Sequence, residues 1–97
     1  MAAYLIAEID VHDAGGYEEY RRRAGSTLSA LGGRFLVRGG GTEAIEGAWS
    51  PQRMVVIEFP SAERARSWWA SPEYRAARAI RQRTATTRMI LVDGVPA

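Results

Sequence analysis

The sequence predicts one α+β domain with the element order β-α-β-β-α-β. Three observations predict it. The chain has 97 residues, which is enough for one modest hydrophobic core but not for two. Four short segments alternate apolar and polar residues or concentrate β-branched ones, as strands do. Two longer segments repeat apolar residues at helical spacing, and each is preceded by a residue that can cap a helix. We therefore expect a single domain over residues 1–97.

The first strand is predicted over Tyr4–Val11, because its residues alternate between two faces. One face carries Leu5, Ala7, Ile9 and Val11, and the other carries Tyr4, Ile6, Glu8 and Asp10. Asp13 then caps a helix. The apolar residues of that helix form one stripe at helical spacing: Tyr17, Tyr20, Ala24, Leu28 and Leu31. Gly32 and Gly33 end the helix, because glycine accepts the left-handed conformation found at helix C-termini.

The second strand is predicted to begin at residues 35–37, to break at the glycines 39–41, and to resume through Ala44 and Ile45. A phosphate-binding loop would need a helix directly after its glycines and usually a lysine, and this chain has no lysine. We therefore favour a bulged, bent strand. A bend that also lets a ligand approach the backbone closely is the alternative.

The second half predicts a third strand over Met54–Phe59, rich in β-branched residues. Ser61 caps the next helix, which carries two adjacent tryptophans, Trp68 and Trp69. Ser71, followed by Pro72 at the first helical position, restarts the helix. Because adjacent helical residues cannot face the core together, one tryptophan is expected in the core and the other at an interface or rim. A last strand is predicted over residues 89–92.

This order is the plan of ferredoxin-like folds, in which a four-stranded antiparallel sheet carries both helices on one face. Alternation predicts that the uncovered face carries Tyr4, Ile6, Glu8, Leu36, Arg38, Met54, Val56 and Glu58. Large exposed apolar patches usually mark interaction sites. We therefore expect a homodimer in which two sheets pack face to face, as in a dimeric α/β barrel.

Composition excludes several classes of function. The chain has no cysteine and a single histidine, His12, so thiolate chemistry, disulfides and multi-histidine metal sites are excluded. Its net charge is only +2 with acids and arginines interleaved, so we expect no nucleic-acid partner. No apolar run reaches the roughly 20 residues that span a bilayer, and the N-terminus resembles a strand rather than a signal peptide, so we expect a cytoplasmic protein without membrane contact. His12 is expected in a solvated loop.

Several stretches together resemble one family. They are "YEEY", "GGRFLVRGG" leading to "EGAW", "VVIEFPS" and "SPEYRAAR". In this combination the chain is similar to domain of unknown function 1330, a family of the dimeric α/β-barrel superfamily, from Tyr4 to Gly94. The resemblance implies a ferredoxin-like fold and a homodimer, but no established activity. The wider superfamily includes cofactor-independent monooxygenases, lactone isomerases and haem-binding enzymes. A haem would need an axial ligand, for which His12 is the only candidate, so we expect no cofactor.

Arg38, Glu58 and Glu8 form the sharpest predicted constellation, on the uncovered face. Arg38 would hold an anionic or carbonyl group of a ligand, and Glu58 or Glu8 would move a proton. Trp49, Tyr4 and Met54 would form apolar walls. The resemblance supports Arg38 and Glu58 as motif positions.

Two alternatives stay open. The charged residues could be ion pairs that set strand register or rim the dimer, and Trp49 could pin a turn. The predicted function is binding a small organic molecule between the sheets, with cofactor-free proton transfer or oxygenase-like chemistry as its extension. The alternative is a non-catalytic module with a packed dimer interface that binds a protein partner.

Overall fold

The computed structural model describes residues 1–96 of the chain. Its strands and helices, in chain order, are β1 Ala3–Val11, α1 Ala14–Ala24, β2 Arg34–Arg38, β3 Arg53–Phe59, α2 Ala62–Ala70, α3 Pro72–Thr84 and β4 Ala85–Asp93. Two single turns of 3₁₀ helix, Gly25–Thr27 and Ser29–Leu31, continue α1 toward β2. The order confirms the predicted plan, with its second helix divided into α2 and α3.

The four strands form one antiparallel sheet in the order β2-β3-β1-β4. Strand β4 is longer than predicted and pairs with β1 along its whole length, from Ala3 opposite Asp93 to Val11 opposite Ala85. This order is that of the ferredoxin-like fold, which confirms the predicted fold class.

Side-chain caps start each helix at the predicted residue. The Asp13 carboxylate accepts a hydrogen bond from the Gly16 amide at 3.2 Å. The hydroxyls of Ser61 and Ser71 accept from the amides of Arg64 and Tyr74, also at 3.2 Å. Each cap satisfies an amide that the helix itself leaves without a partner. Because Ser71 separates the two helices, α3 starts in a new direction after α2.

The core lies between the helices and one face of the sheet. On β1 the predicted alternation is confirmed, since Ala3, Leu5, Ala7 and Ile9 are buried. The largest fully buried side chains are Trp68, Tyr74 and Phe59. Trp68 and Tyr74 stack with their ring centres 3.8 Å apart. Trp69 is 40% exposed, so Trp68 is the core tryptophan of the pair.

Strand β2 differs from its prediction. It ends at Arg38, and the prediction that it resumes through Ala44 and Ile45 is wrong, because residues 39–52 form a loop. Gly39 ends the strand with φ at 77°, a left-handed conformation that glycine adopts without strain, and its amide donates to the Met54 carbonyl at 2.8 Å. The irregularity of the strand itself comes earlier, as a bulge between Phe35 and Val37.

The face of the sheet away from the helices is called the open face below. Its central row of cross-strand neighbours is apolar and runs through Val37, Val56, Ile6 and Ile90. The row at one end runs through Arg34, Glu58, Tyr4 and Val92, and the row at the other end through Met54, Glu8 and Arg88. Ile90 is 60% exposed, so residues 1–96 provide no cover for this part of the face.

Candidate functional site

The bulge in β2 decides where Arg38 points. Arg34 pairs with Glu58 on the open face, but beyond the bulge Arg38 pairs with Val55, a buried residue of the core face. One extra residue in a strand reverses the alternation of all residues after it. The predicted position of Arg38 on the open face, beside Glu8 and Glu58, is therefore wrong. Arg38 lies on the helix side of the sheet.

On that side Arg38 is held by α1 and by an aromatic ring. Its Nη2 donates to the backbone carbonyl of Arg21 at 2.7 Å, and its guanidinium carbon lies 4.2 Å from the centre of the Phe35 ring. Stacking of this kind is favourable for a guanidinium. Among residues 1–96, no carboxylate lies within salt-bridge distance of Arg38.

A second arginine stands beside it. Arg53 lies on β3 two residues before Val55, so it projects from the same face as Arg38. Its Nε donates to the Tyr17 hydroxyl at 3.1 Å, and its guanidinium lies 5.4 Å from the centre of the Tyr17 ring. Within the described part of the chain Arg53 also has no carboxylate partner. Two guanidinium groups without a carboxylate partner therefore lie on this side of the sheet, and one of them contacts a phenol.

These groups form the mouth of a cavity between α1 and the sheet, called the α1 cavity below. Its mouth is lined by Tyr17, Arg21, Arg38 and Arg53, and its walls by Leu5, Ala7, Ile9, Tyr20, Ala24, Phe35, Val55, Ile57, Trp68 and Met89. The enclosed volume is about 20 Å³, room for about one water molecule. Arg21 also has its Nε atom buried without a hydrogen-bond partner among residues 1–96. A polar mouth thus leads to an apolar interior.

Behind the cavity lies a buried polar network. The hydroxyls of Tyr20 and Tyr74 are 2.8 Å apart, and Nε of Arg81 donates to the Tyr74 oxygen at 3.3 Å. Burial raises the pKa of Tyr20, with the neighbouring Tyr74 adding to the rise. Arg81 is 4% exposed. The network fixes the Tyr20 ring, which is one wall of the cavity.

On the open face, Glu58 is held from both sides. Nε of Arg34 donates to one carboxylate oxygen at 2.7 Å, and the Tyr4 hydroxyl donates to the other at 3.2 Å. Tyr4 faces Glu58 directly across the β1–β3 pair. The sequence placed Tyr4 and Glu58 on this face correctly. The partner of Glu58, however, is Arg34 rather than Arg38.

Glu8 is held by a different pair. Nε of Arg88 donates to its Oε1 at 2.9 Å, a second N–H of Arg88 reaches the same oxygen, and the Trp49 indole donates to Oε2 at 2.9 Å. The hydrogen bond from Trp49, followed by that from Arg88, lowers the pKa of Glu8. Lowering the pKa of a carboxyl group moves it away from the neutral range in which a general acid or base works best. Through its hydrogen bond to Glu8, Trp49 anchors the 39–52 loop to β1. Of the two roles predicted for Trp49, this is the one in which it holds a turn in place.

The two acids do not form one site. Glu58 lies opposite Tyr4, and Tyr4 is four residues from Glu8, which is about 13 Å along a strand. Ile6 lies between them on the same face. Met54 lies directly opposite Glu8, and it lines a cleft of about 460 Å³ together with Trp49 and other residues of the 39–52 loop. The roles predicted for these residues in ligand binding and proton transfer stay predictions.

Comparison with known protein families shows to which family the chain belongs. A sequence profile of the family described as Domain of unknown function (DUF1330) matches residues 2–95. The chain belongs to the DUF1330 family. This confirms the resemblance found in the sequence motifs. A search of curated proteins gave no significant match.

Solved structures similar to this DUF1330 domain share its fold at low sequence identity. A protein of unknown function from Rhodopseudomonas palustris is 20% identical with a TM-score of 0.79, over 99% of this chain and 84% of the other. SnoaB, a cofactor-independent oxygenase from Streptomyces nogalater, is 13% identical with a TM-score of 0.68, over 99% and 95%. A dimeric ferredoxin-like protein of unknown function from Thermobifida fusca is 20% identical with a TM-score of 0.60, over 94% and 89%.

The sequence did not identify the mouth of the α1 cavity in this DUF1330 domain. The prediction that Tyr17 and Tyr20 lie on the core stripe of α1 is correct, but the Tyr17 hydroxyl also accepts from Arg53 at the mouth, and the Tyr20 hydroxyl also bonds to Tyr74. Arg53 immediately precedes the predicted third strand, and extending that strand by one residue would have placed it on the core face. Arg53 is a charged residue in register with the buried residues Val55 and Ile57. That mismatch is the sequence signal that could have identified Arg53 as a site residue.

The described residues, 1–96, include no helix with the length and apolar character needed to cross a membrane. Over the same range, no three histidine, cysteine or acidic side chains are grouped so as to hold a metal ion. The predicted cytoplasmic location stays a prediction.

Proposed function

We propose that this chain acts as a homodimer that binds a small organic molecule in the α1 cavity of each subunit. One observation carries the proposal: a space inside the hydrophobic core opens through a mouth lined by guanidinium groups and a phenol. A cavity left by imperfect packing would be lined by apolar groups throughout, because burying unpaired polar groups is costly. Apolar walls with a few convergent polar groups are typical of ligand sites.

The size of the cavity defines how a ligand must enter. At about 20 Å³ the enclosed space admits no organic molecule as it stands. Arg38 is an exposed residue of the mouth, held there by the Arg21 carbonyl and the Phe35 ring. Binding therefore requires that the apolar walls separate by the thickness of the ligand while Arg38 stays at the mouth.

The groups at the mouth define the chemistry available. The Tyr17 hydroxyl accepts a hydrogen bond from Arg53, which leaves its own proton free to be donated to a ligand. We therefore propose proton transfer without a tightly held cofactor as the reaction class. SnoaB, which has the same fold, is a cofactor-independent oxygenase. Its likeness to this chain shows only the fold, so oxygenation is the second class to assay.

The open face supports the proposed dimer. Its apolar row is exposed at Val37 and Ile90, and the carboxylates of Glu58 and Glu8 on either side of that row are already paired with Arg34 and Arg88. A second sheet can cover the row and these two ion pairs without desolvating an unpaired charge, since the third carboxylate of this face, Asp10, lies beyond Glu8 near the end of β1. In this arrangement the dimer interface includes the predicted site residues Glu58, Glu8, Tyr4, Met54 and Trp49. The relative from Thermobifida fusca, described as dimeric, has the same fold.

Native mass spectrometry of gently purified protein tests both parts. We expect a dimer that carries one small molecule per subunit, released on denaturation. Ile90→Glu should give monomers, because it buries a charge in the apolar row, and Ala79→Glu, on the exposed side of α3, should leave the dimer intact. A wild-type monomer at micromolar concentration would refute the dimer. Protein that stays empty when offered a broad metabolite extract would refute the ligand site.

A further inference from the structure

We infer that the ligand of the α1 cavity carries a carboxylate group, which binds between Arg38 and Arg53 while its apolar body enters the core. This inference rests on the proposed function and specifies its class of ligand. Three features of the mouth support it: the missing negative charge, the orientation of the unused hydrogen-bond donors, and the match between the number of donors and the acceptor positions of a carboxylate.

The first feature is the charge balance. Arg38 and Arg53 project from the same sheet face. Arg38 lies opposite Val55, and Arg53 lies two residues before Val55 on the neighbouring strand. Within residues 1–96 neither arginine has an acidic partner. By contrast, the other arginine of the mouth, Arg21, is paired with Glu18 at 3.2 Å. Like charges held close together repel each other, and an anion between them relieves the repulsion. The mouth therefore has a net positive charge that no part of the described chain neutralises.

The second feature is the orientation of the donors. Arg38 stacks on Phe35, so an aromatic ring packs against one face of its guanidinium, whereas Arg53 donates from its edge to the Tyr17 hydroxyl with its guanidinium carbon 5.4 Å from the ring centre. A stacked guanidinium presents its N–H groups at its edge, in the geometry that carboxylates accept. Of five N–H donors, each arginine uses one for a hydrogen bond to the protein, to the Arg21 carbonyl and to the Tyr17 hydroxyl. The remaining donors are free to bind an anion.

The third feature distinguishes a carboxylate from a phosphate. A carboxylate has about four acceptor positions, which two arginine edges and the Tyr17 hydroxyl can satisfy. A phosphate monoester carries more charge and a third acceptor oxygen, for which the mouth provides no further uncompensated cation. The cavity walls behind the mouth are apolar. The ligand that fits is therefore an apolar, preferably flat, body with one carboxylate at its end.

The test uses matched pairs of probes on the full-length protein. Benzoate and 2-naphthoate are titrated beside benzamide and 2-naphthamide, which have the same shape without the charge, and amide NMR shifts locate and quantify binding. We expect the carboxylates to shift residues around Tyr17 and to bind about tenfold or more tightly than the amides, as charge-assisted hydrogen bonds predict. Their affinity should fall as salt is raised.

Variants of the two arginines then test whether the mouth of the α1 cavity binds the carboxylate group. Arg38→Met and Arg53→Met should each weaken benzoate binding about tenfold, and Arg75→Met, on the exposed face of α3, should leave it unchanged. Carboxylates and amides that bind equally, or a phenyl phosphate that binds more tightly than benzoate, would overturn the inference while leaving the cavity as a ligand site. Failure of all these probes to shift any residue of the cavity would overturn the inference together with the proposed function.

Discussion

The hydroxyl oxygens of Tyr20 and Tyr74 lie 2.8 Å apart in the core, although the two residues are 54 positions apart in the chain. The pair joins α1 to α3 directly behind the α1 cavity. The Tyr74 hydroxyl also accepts a hydrogen bond from Arg81, whereas within residues 1–96 the hydroxyl of Tyr20 bonds to Tyr74 alone and the Arg81 guanidinium lies 5.9 Å from the Tyr20 ring centre. The two tyrosines therefore differ in how many buried groups depend on them.

This difference predicts unequal costs of removing each hydroxyl. Tyr74→Phe leaves both Tyr20 and Arg81 without a partner, and should lower the free energy of unfolding by about 2–4 kcal/mol. Tyr20→Phe leaves Arg81 its partner and should cost about 1 kcal/mol. Urea unfolding followed by tryptophan fluorescence, at one fixed protein concentration, measures both. An equal or larger cost for Tyr20→Phe would contradict the network.

The same network predicts a loss of stability at high pH. Burial raises the pKa of Tyr20 above the ordinary value of 10.0, so the folded protein keeps this proton where the unfolded chain releases it. The contribution of Tyr20 is therefore complete below pH 10 and declines as the pH rises above it. Unfolding free energies between pH 8 and pH 11 should fall less steeply in Tyr20→Phe than in the wild type. Parallel curves would show that Tyr20 does not contribute.

The contacts of Glu8 predict an acid that ionises more readily than usual. Carbon-detected NMR titration should give Glu8 a pKa below 4.5, and Trp49→Phe and Arg88→Met should each raise it, because the indole and the guanidinium both donate to the carboxylate. Arg75→Met serves as the control. A depressed pKa means that the stabilisation from Glu8 is lost as the pH falls through that value. A normal Glu8 pKa in the wild type would contradict the indole and guanidinium contacts.

The conformation and surroundings of Gly39 predict that the site requires glycine at this position. A side chain there would overlap the Arg53 guanidinium, and the residue has φ at 77°. Gly39→Ala should cost about 1–2 kcal/mol of stability and displace Arg53 from Tyr17. Gly41→Ala is the matched control, because a Cβ there meets nothing within 4 Å. Stability and Tyr17 ring NMR signals report the two effects, and equal behaviour of both variants would count against the arrangement.

Local signals were sufficient to predict most of the fold. The alternation of β1 predicted its core face, and Asp13, Ser61 and Ser71 predicted the helix starts, because a cap acts within four residues of the chain. Strand order followed from the element order, since few arrangements of β-α-β-β-α-β are sterically favourable. Each of these inferences needs information only from neighbouring residues or from general rules of topology.

The candidate site depends on information that the sequence does not display locally. The bulge near Leu36 lies within a run of apolar residues, so no change of residue type marks the extra residue that reverses the face of Arg38. The bond from Trp49 to Glu8 joins residues 41 positions apart and depends on the path of a loop. One misplaced residue in β2 was therefore enough to assign Arg38 to the wrong side.

The bulge has a consequence for how such a site can change through evolution. Deleting the codon for Leu36 would remove the extra residue and leave Arg38 opposite Val55, on the helix side, in a strand with simple alternation. A relative that keeps all five residues in regular alternation would instead carry the residue at position 38 on the opposite surface. The presence of the bulge therefore determines which side of the protein receives the cation, and a sequence alignment, which does not display a bulge, would conceal the difference.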